Sequence, residues 1–389
     1  MKLKLFFILV LAVPIVLLVH SIRPIKLIRF GSLRSNRVGQ FAINTELYLS
    51  AREIGLGKRN TLDLFWCPEP ISNYQLKKMW GRCLKIYRFV KYLDRINRMI
   101  PWGTTHSVTM PEGYKFIARD TDGLLTLTKP HISFTKQETL KGIDSIKRIG
   151  IEGDSPYVCF LGRDSTYLNT IEPNKDWDYH SYRDFDINDI LEAAEYLSLK
   201  KMFSIRMGSI TKKPLISNNP MIIDYATNYR TDFLDIFLTA NCKFFVSCGT
   251  GIDTVADIFR RPVAHINFLP LEGIHSWYQN GLTIPKKIWS SKESRLLTFK
   301  EIIESGVGRF LQTKQYNEFG LKIIDNTPTE IAELVCEMEQ RLTGVWVPDQ
   351  DDEELQQCFW SLFQKSELHG TIKARIGTSY LRHNIDLLS

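Results

Sequence analysis

The sequence predicts an α/β protein of two doubly wound, Rossmann-like domains facing a cleft, with an apolar helix ahead of them. Three observations lead there. Short apolar runs alternate with helical patterns of about ten residues, which implies parallel sheets covered by helices on both faces. The 389 residues suffice for two domains that each bury a core. A charge-free stretch, Leu5 to Val19 (LFFILVLAVPIVLLV), precedes the first strand-like run.

That stretch is shorter than the ~20 residues of a full span and contains Pro14. Lys2 and Lys4 stand before it, whereas Arg23, Lys26, Arg29, Arg34 and Arg37 follow it. Two lysines ahead of an apolar core also fit a cleavable signal peptide, but VHSIRPIKLIRFG offers no small-x-small cleavage site. The excess of basic residues after the stretch keeps the downstream chain cytoplasmic under the positive-inside rule. Residues 1–24 are therefore expected to be an uncleaved membrane anchor, with a membrane surface as partner.

The first domain is expected over residues 25–150. It opens with a strand, Ile25-Lys26-Leu27-Ile28-Arg29-Phe30, ended by Gly31, and a helix from Gly39 to about Glu53. A second strand, Thr61–Cys67, stops at Pro68 and Pro70. Basic and aromatic residues from Ser72 to Met99 predict one or two helices, and Pro101 to Arg148 shows no firm period.

The second domain is expected over 151–345. Its predicted strands are YVCFL (157–161), MFSIR (202–206), MIIDYA (221–226), KFFVSC (243–248) and VAHINF (263–268). Helices are predicted over 187–199, 232–240 and 251–259, and from the Thr327-Pro328-Thr329-Glu330 start signal to Leu342. Residues 346–389 read as C-terminal helices.

Lys and Arg exceed Asp and Glu by 50 − 43 = 7, too mild a surplus for a generic nucleic-acid binder. Phosphates or an acidic lipid surface remain plausible anionic partners. The seven cysteines are scattered, with no CxxC pair, which fits a reducing compartment better than a disulfide framework. No HExxH, no Cys/His cluster and no DxD between apolar strands occurs, so no metal is expected. Walker-type Gly-Lys-Ser/Thr loops and GxSxG elbows are absent too.

The most informative run is Phe244-Phe245-Val246-Ser247-Cys248-Gly249-Thr250-Gly251-Ile252-Asp253. A buried strand delivers Gly249, Thr250 and Gly251 to a helix start, where backbone N–H groups suit a diphosphate. The same pattern also serves a plain tight turn capped by Thr250. Asp253, in the first helical turn, would repel a phosphate and fits a ribose or capping role better. Arg163 and Arg206 close two strands, and in a parallel sheet the ligand crevice lies beyond such strand ends. Each is a donor-binding candidate or the partner of a nearby acid such as Asp164. Lys286-Lys287 is a phosphate contact or a solvated pair, with Lys287 the donor-side candidate. Within Tyr179-His180-Ser181-Tyr182-Arg183-Asp184, His180 is a proton-transfer candidate. In the first domain Arg37 and Gly39, in a basic glycine-bounded loop, are acceptor-side candidates. Glu46 is the candidate base or an exposed helix glutamate.

Together RFGSLRSNRVGQFAINTELYL, GRDSTYLN, YHSYRDFDINDILEAAEYL, IRMGS, IIDYA, CKFFVSCGTGIDTVADIFRRPVAHINFLPL and IIDNTPTEIAELVCEMEQRL resemble a family of bacterial glycosyltransferases found with surface-carbohydrate genes. The resemblance runs from about Arg29 to Leu342. It implies a GT-B fold with the donor, a nucleotide-sugar co-substrate, on the second domain and no obligatory metal or other cofactor; the expected anchor adds a carbohydrate or lipid-linked acceptor and the cytoplasmic face of the inner membrane. Arg163 and the glycine turn are also distantly similar to the donor sites of GDP-fucose-dependent transferases. Those carry His two residues before the Arg, where this chain has Leu161; in the first-domain loop Gln40 stands where the resemblance leads one to expect His. Two rivals stay open: a nucleotide-sugar epimerase of the same fold, and a non-catalytic membrane-tethered assembly factor.

Overall fold

The computed structural model describes residues 2–58, 60–111, 118–163, 178–211, 213–363 and 368–388. It divides into two compact units, one of Met1–Asp120 with Leu124–Lys136, the other of Thr121–Gly123 with Gln137–Ser389.

The first unit begins with helix α1 (Lys2–Ser21), followed by strand β1 (Leu27–Ser32), helix α2 (Val38–Glu53) and strand β2 (Thr61–Trp66). Helix α3 (Tyr74–Cys83), the short strand β3 (Lys85–Ile86) and helix α4 (Val90–Asn97) come next. The strands pair in parallel in the order β1-β2-β3. Asn73 starts α3 by accepting a 2.8 Å hydrogen bond from the Leu76 N–H, satisfying one of the helix's orphan donors.

Across the β1–β2 pair, Arg29 and Asp63 are register partners. The guanidinium grips the carboxylate through Nε and Nη2, both at 2.7 Å. Tyr48 and Arg52, from the face of α2, donate to the same carboxylate. Burial alone would raise the pKa of Asp63, but the hydrogen bonds from Arg29 and Tyr48 outweigh it and hold the pKa below the usual value. This buried polar knot therefore ties sheet to helix where an apolar residue would ordinarily do so.

The apolar N-terminal stretch does not stand apart from the unit. Ala12, Val16 and Val19 share one stripe of α1 and pack against Phe30, Val90, Leu93 and Ile96. Beyond that stripe the helix stays uncovered, with Leu11 68% and Leu18 62% exposed. Among the described residues no helix is long and apolar enough to cross a membrane. The expected anchor is thus corrected: its described half is a helix laid on the first unit, because small and β-branched residues at i, i+4 and i+7 give it a docking stripe.

In the second unit, strands β4 (Tyr157–Leu161), β5 (Phe203–Arg206), β6 (Ile222–Asp224), β7 (Phe245–Ser247), β8 (Val263–Phe268) and β9 (Leu282–Pro285) form one sheet with β13 (Arg375–Ile376). Its order is β13-β9-β8-β7-β4-β5-β6, and every pair is parallel. The chain builds outward from β4 to β6, then returns to the other side of β4 with β7. The strand order therefore reverses between β4 and β7, which is where an open parallel sheet leaves a crevice beyond its carboxyl ends. A smaller antiparallel sheet joins β10 (Lys287–Ser290) to β11 (Arg295–Leu296) and β12 (Leu321–Ile324).

Several helices match the sequence pattern closely. The helix Pro328–Thr343 starts with a complete capping box between Thr327 and Glu330 and ends at Gly344, whose φ is +77°. One helix, Lys136–Arg148, was not expected. Its inward face is Glu138 and Gly142 rather than large apolar residues, so it leaves no hydrophobic period. A Cβ on Gly142 would lie 2.1 Å from the Phe237 ring, and only a bare backbone permits this approach.

Candidate active site

The carboxyl ends of β4 and β7, at the reversal of strand order, bring Arg163 and the Gly249-Thr250-Gly251 turn together. Val246 and Ser247 pair with Phe160 and Leu161, so the two strands end side by side. Gly249 adopts φ +74°, and a Cβ there would lie 2.7 Å from Cε2 of Phe268. Both facts demand glycine. Gly249→Ala is expected to cost about 1–3 kcal/mol from the left-handed backbone and the crowded ring. Urea unfolding measures this; a loss below about 0.5 kcal/mol would mean that the Phe268 ring yields freely.

Beneath the turn lies a buried polar network. Ser247 Oγ donates to Asp253 Oδ2 at 2.9 Å, accepts from the Thr250 N–H at 3.3 Å and lies 3.1 Å from Thr250 Oγ1. His265 Nε2 lies 3.5 Å from Asp253 Oδ2. Asp253, of which a ribose or capping role is expected, is 1% exposed and braces the turn from inside, a placement nearer the second role than the first. The following helix, Asp253–Ile258, is six residues long.

Beside the turn, three cations meet two carboxylates. Arg163 donates from Nη1 to the His180 carbonyl at 2.8 Å and to Asp184 Oδ1 at 2.5 Å. Arg183 donates from Nη2 to the Gly249 carbonyl. Its Nε is buried with no hydrogen-bond partner among the described residues. Lys286, 2% exposed, donates from Nζ to the Asp184 carbonyl at 2.7 Å and pairs with Asp325 at the same distance. Burial and then the neighbouring Arg183 charge lower the pKa of Arg163. The Cys248 thiol is pushed up by burial, and Arg183, Arg163 and Lys286 each pull it back. Three cations and the carboxylates of Asp184 and Asp325 thus gather near the end of β7, and among the described residues one buried guanidinium donor is left unspent. Such a donor calls for an anion.

Apart from His180, the remaining candidates fall elsewhere. Arg206 is 3% exposed; it donates to the Lys213 carbonyl at 2.6 Å and pairs with Asp224 at 3.2 Å. Asp224 in turn caps the next short helix through Thr227, so Arg206 braces the β5–β6 edge. Lys287 is drawn to Glu330 at 2.6 Å, at the start of the Pro328–Thr343 helix, and it is Lys286 that reaches the cationic cluster. His180 stands within the cluster, its ring 3.9 Å from that of Tyr179. Asp164 lies outside the described residues, as does most of GRDSTYLN; among the described residues the acid beside Arg163 is Asp184. In the first unit Arg37 is half-buried just ahead of α2 and Gly39 is buried in its first turn. Glu46 is fully buried, 3.2 Å from His131 Nδ1, so it orients an imidazole and is not a solvent-facing carboxylate. Among the described residues no group of His, Cys, Asp and Glu gathers as a metal would require.

Sequence reasoning did not single out Arg183. It stands in a polar loop with no period, and only the return of that loop over Gly249 reveals its role.

No protein-family model and no curated protein matches the chain. Among solved structures it is similar in chain course to the E. coli ADP-heptose lipopolysaccharide heptosyltransferase II, at 13% identity and TM-score 0.40, covering 81% of this chain and 99% of that one. It is also similar to a family 9 glycosyl transferase from Veillonella parvula DSM 2008, at 9% identity and TM-score 0.45, covering 82% and 97%. At these values the likeness is loose and assigns no activity.

Proposed function

We propose that the protein is a metal-independent glycosyltransferase of the GT-B kind that moves a sugar from a nucleotide-sugar donor to a surface-polysaccharide or lipid-linked acceptor. The observation that carries this reading is Arg183 on the Gly249 carbonyl at the reversal of the parallel sheet, with Arg163 and Lys286 held on the adjoining His180–Asp184 loop. A multiply charged anion at a switch point is characteristically the phosphate part of a nucleotide. The stretches that resemble bacterial glycosyltransferases narrow that nucleotide to one carrying a sugar.

In this reading an acceptor hydroxyl loses its proton to a base and attacks the anomeric carbon, and the bond to the nucleoside diphosphate breaks. Both electrons leave with the diphosphate, whose growing charge is met by Arg163, Arg183, Lys286 and the turn's N–H groups. His180 is the candidate base, since Glu46 is engaged by His131. We further propose that the work takes place at the cytoplasmic face of a membrane, whose anionic lipids would attract the basic residues after α1. A C-terminal reporter active only on the opposite side would overturn that placement.

The test is turnover with a panel of nucleotide sugars and product analysis. Free nucleoside diphosphate should appear together with a glycosylated acceptor, and His180→Asn, still folded, should abolish both. Isomerised nucleotide sugar without transfer would identify an epimerase, and no binding of any nucleotide would sink the reading.

A further inference from the structure

Helices α1 and α4 lie against one another on the first unit, joined by Val16, Val19, Leu93 and Ile96. Their outward faces have opposite character. On α1, Leu11, Ile15 and Leu18 form an uncovered apolar stripe, flanked by further exposed aliphatic side chains. Through α4 and its flanking turns, Arg88, Lys91, Arg95 and Arg98 recur at intervals of three and four residues. All four are exposed, and Val90, Leu93 and Asn97 occupy the opposite, buried side. This is one cationic stripe. Its ends carry exposed aromatic and soft apolar groups: Phe89 at one end, Met99 and Trp102 at the other.

An uncovered apolar helix of this extent is unusual on a protein surface and marks a contact with another apolar phase. The neighbouring basic stripe decides which phase. A second copy of the chain would bring the same four cations face to face, whereas an anionic headgroup layer complements them. Aromatic rings at the margin suit the boundary between headgroup and acyl chain. Lysine and arginine stems reach past apolar neighbours to place their charge in that layer.

We propose that the joint outer face of α1 and α4 is a docking surface for an anionic lipid bilayer, with α1 lying in the interface and α4 reading the headgroup charge. This deepens the membrane reading given above, naming the surface and the lipid chemistry. It is independent of the nucleotide site, since every residue it uses lies in the first unit.

The test is flotation of the full chain with two kinds of vesicle, pure phosphatidylcholine and an equal mixture of phosphatidylcholine and phosphatidylglycerol. The protein should partition strongly onto the mixed vesicles, weakly onto the neutral ones, and less onto both as salt rises. A variant carrying Arg88→Gln, Lys91→Gln and Arg95→Gln should partition on the order of 100-fold more weakly onto mixed vesicles. All three positions are exposed, and Arg98, which holds the buried Asp94 at 3.0 Å, is left in place, so the thermal midpoint and nucleotide affinity should match those of the parent. Equal binding of parent and variant to mixed vesicles would overturn the role of α4 while leaving membrane association by α1 intact. Absence of binding to either vesicle would overturn both. A concentration-dependent dimer that ignores vesicles would assign the face to a second copy and overturn the proposal.

Discussion

Arg183→Ala is expected to weaken binding of a nucleoside diphosphate by roughly 10- to 150-fold and to leave the bare nucleoside nearly unaffected. The guanidinium is held by one nitrogen on the Gly249 carbonyl while Nε is buried with no partner among the described residues. A charge-assisted contact to phosphate is worth about 1.5–3 kcal/mol, and about 1.4 kcal/mol is a decade in affinity. The nucleoside never uses that contact, so the difference between the two ligands isolates it. Calorimetric titration of both ligands against parent and variant gives the answer directly. Equal losses for both would mean that the substitution disturbs the turn as a whole; no loss in a folded variant would move the phosphate away from Arg183. Arg206→Ala is the useful contrast. Its partner Asp224 would be left buried without a cation, so the cost should fall on stability and not on phosphate preference.

Asp63→Ala is expected to destabilise the first unit by about 3–5 kcal/mol, because it leaves the buried Arg29 charge without its partner. The pH dependence follows from the lowered pKa of Asp63. A carboxylate depressed in the folded state contributes stability that is complete above its unfolded value, about 3.9, and is lost as pH falls through the folded value. Urea midpoints of parent and Asp63→Asn should therefore differ most at neutral pH and converge as acid protonates the parent. A constant difference from pH 7 down to the acid limit would mean that shape, not charge, is what Asp63 supplies. Arg52→Ala should cost less than loss of Asp63, since Arg52 is 31% exposed and water replaces part of what it gives.

The parallel core was legible because its strands are buried on both faces and read as continuous apolar runs: YVCFL, FFVSC and VAHINF all became strands. The Thr327–Glu330 start signal was legible because capping chemistry is local. The Lys136–Arg148 helix was not, since it packs through Gly142 and leaves Leu140 and Ile143 exposed. At the site, Arg163 and the Gly249 turn were visible as strand ends. Arg206 looked equivalent to Arg163 from its position alone, and only the return of Asp224 on the neighbouring strand distinguishes them. Glu46 read as an exposed helix residue or a base because nothing in α2 reveals that His131, 85 residues on, closes over it. α1 looked self-sufficient, and its docking stripe needs Val90 and Leu93 to be recognised.

Because Ser247 and Asp253 grip the Gly249–Gly251 turn from the protein interior, its shape does not depend on a guest. A ligand arriving there spends none of its binding energy on organising the backbone. Under the proposed function every nucleoside diphosphate would meet the same rigid seat and gain the same free energy from it. Discrimination between one donor and another must then arise from whatever surrounds the base and the sugar. Exchange of donor preference between relatives would call for substitutions in those surroundings, with the seat itself left untouched.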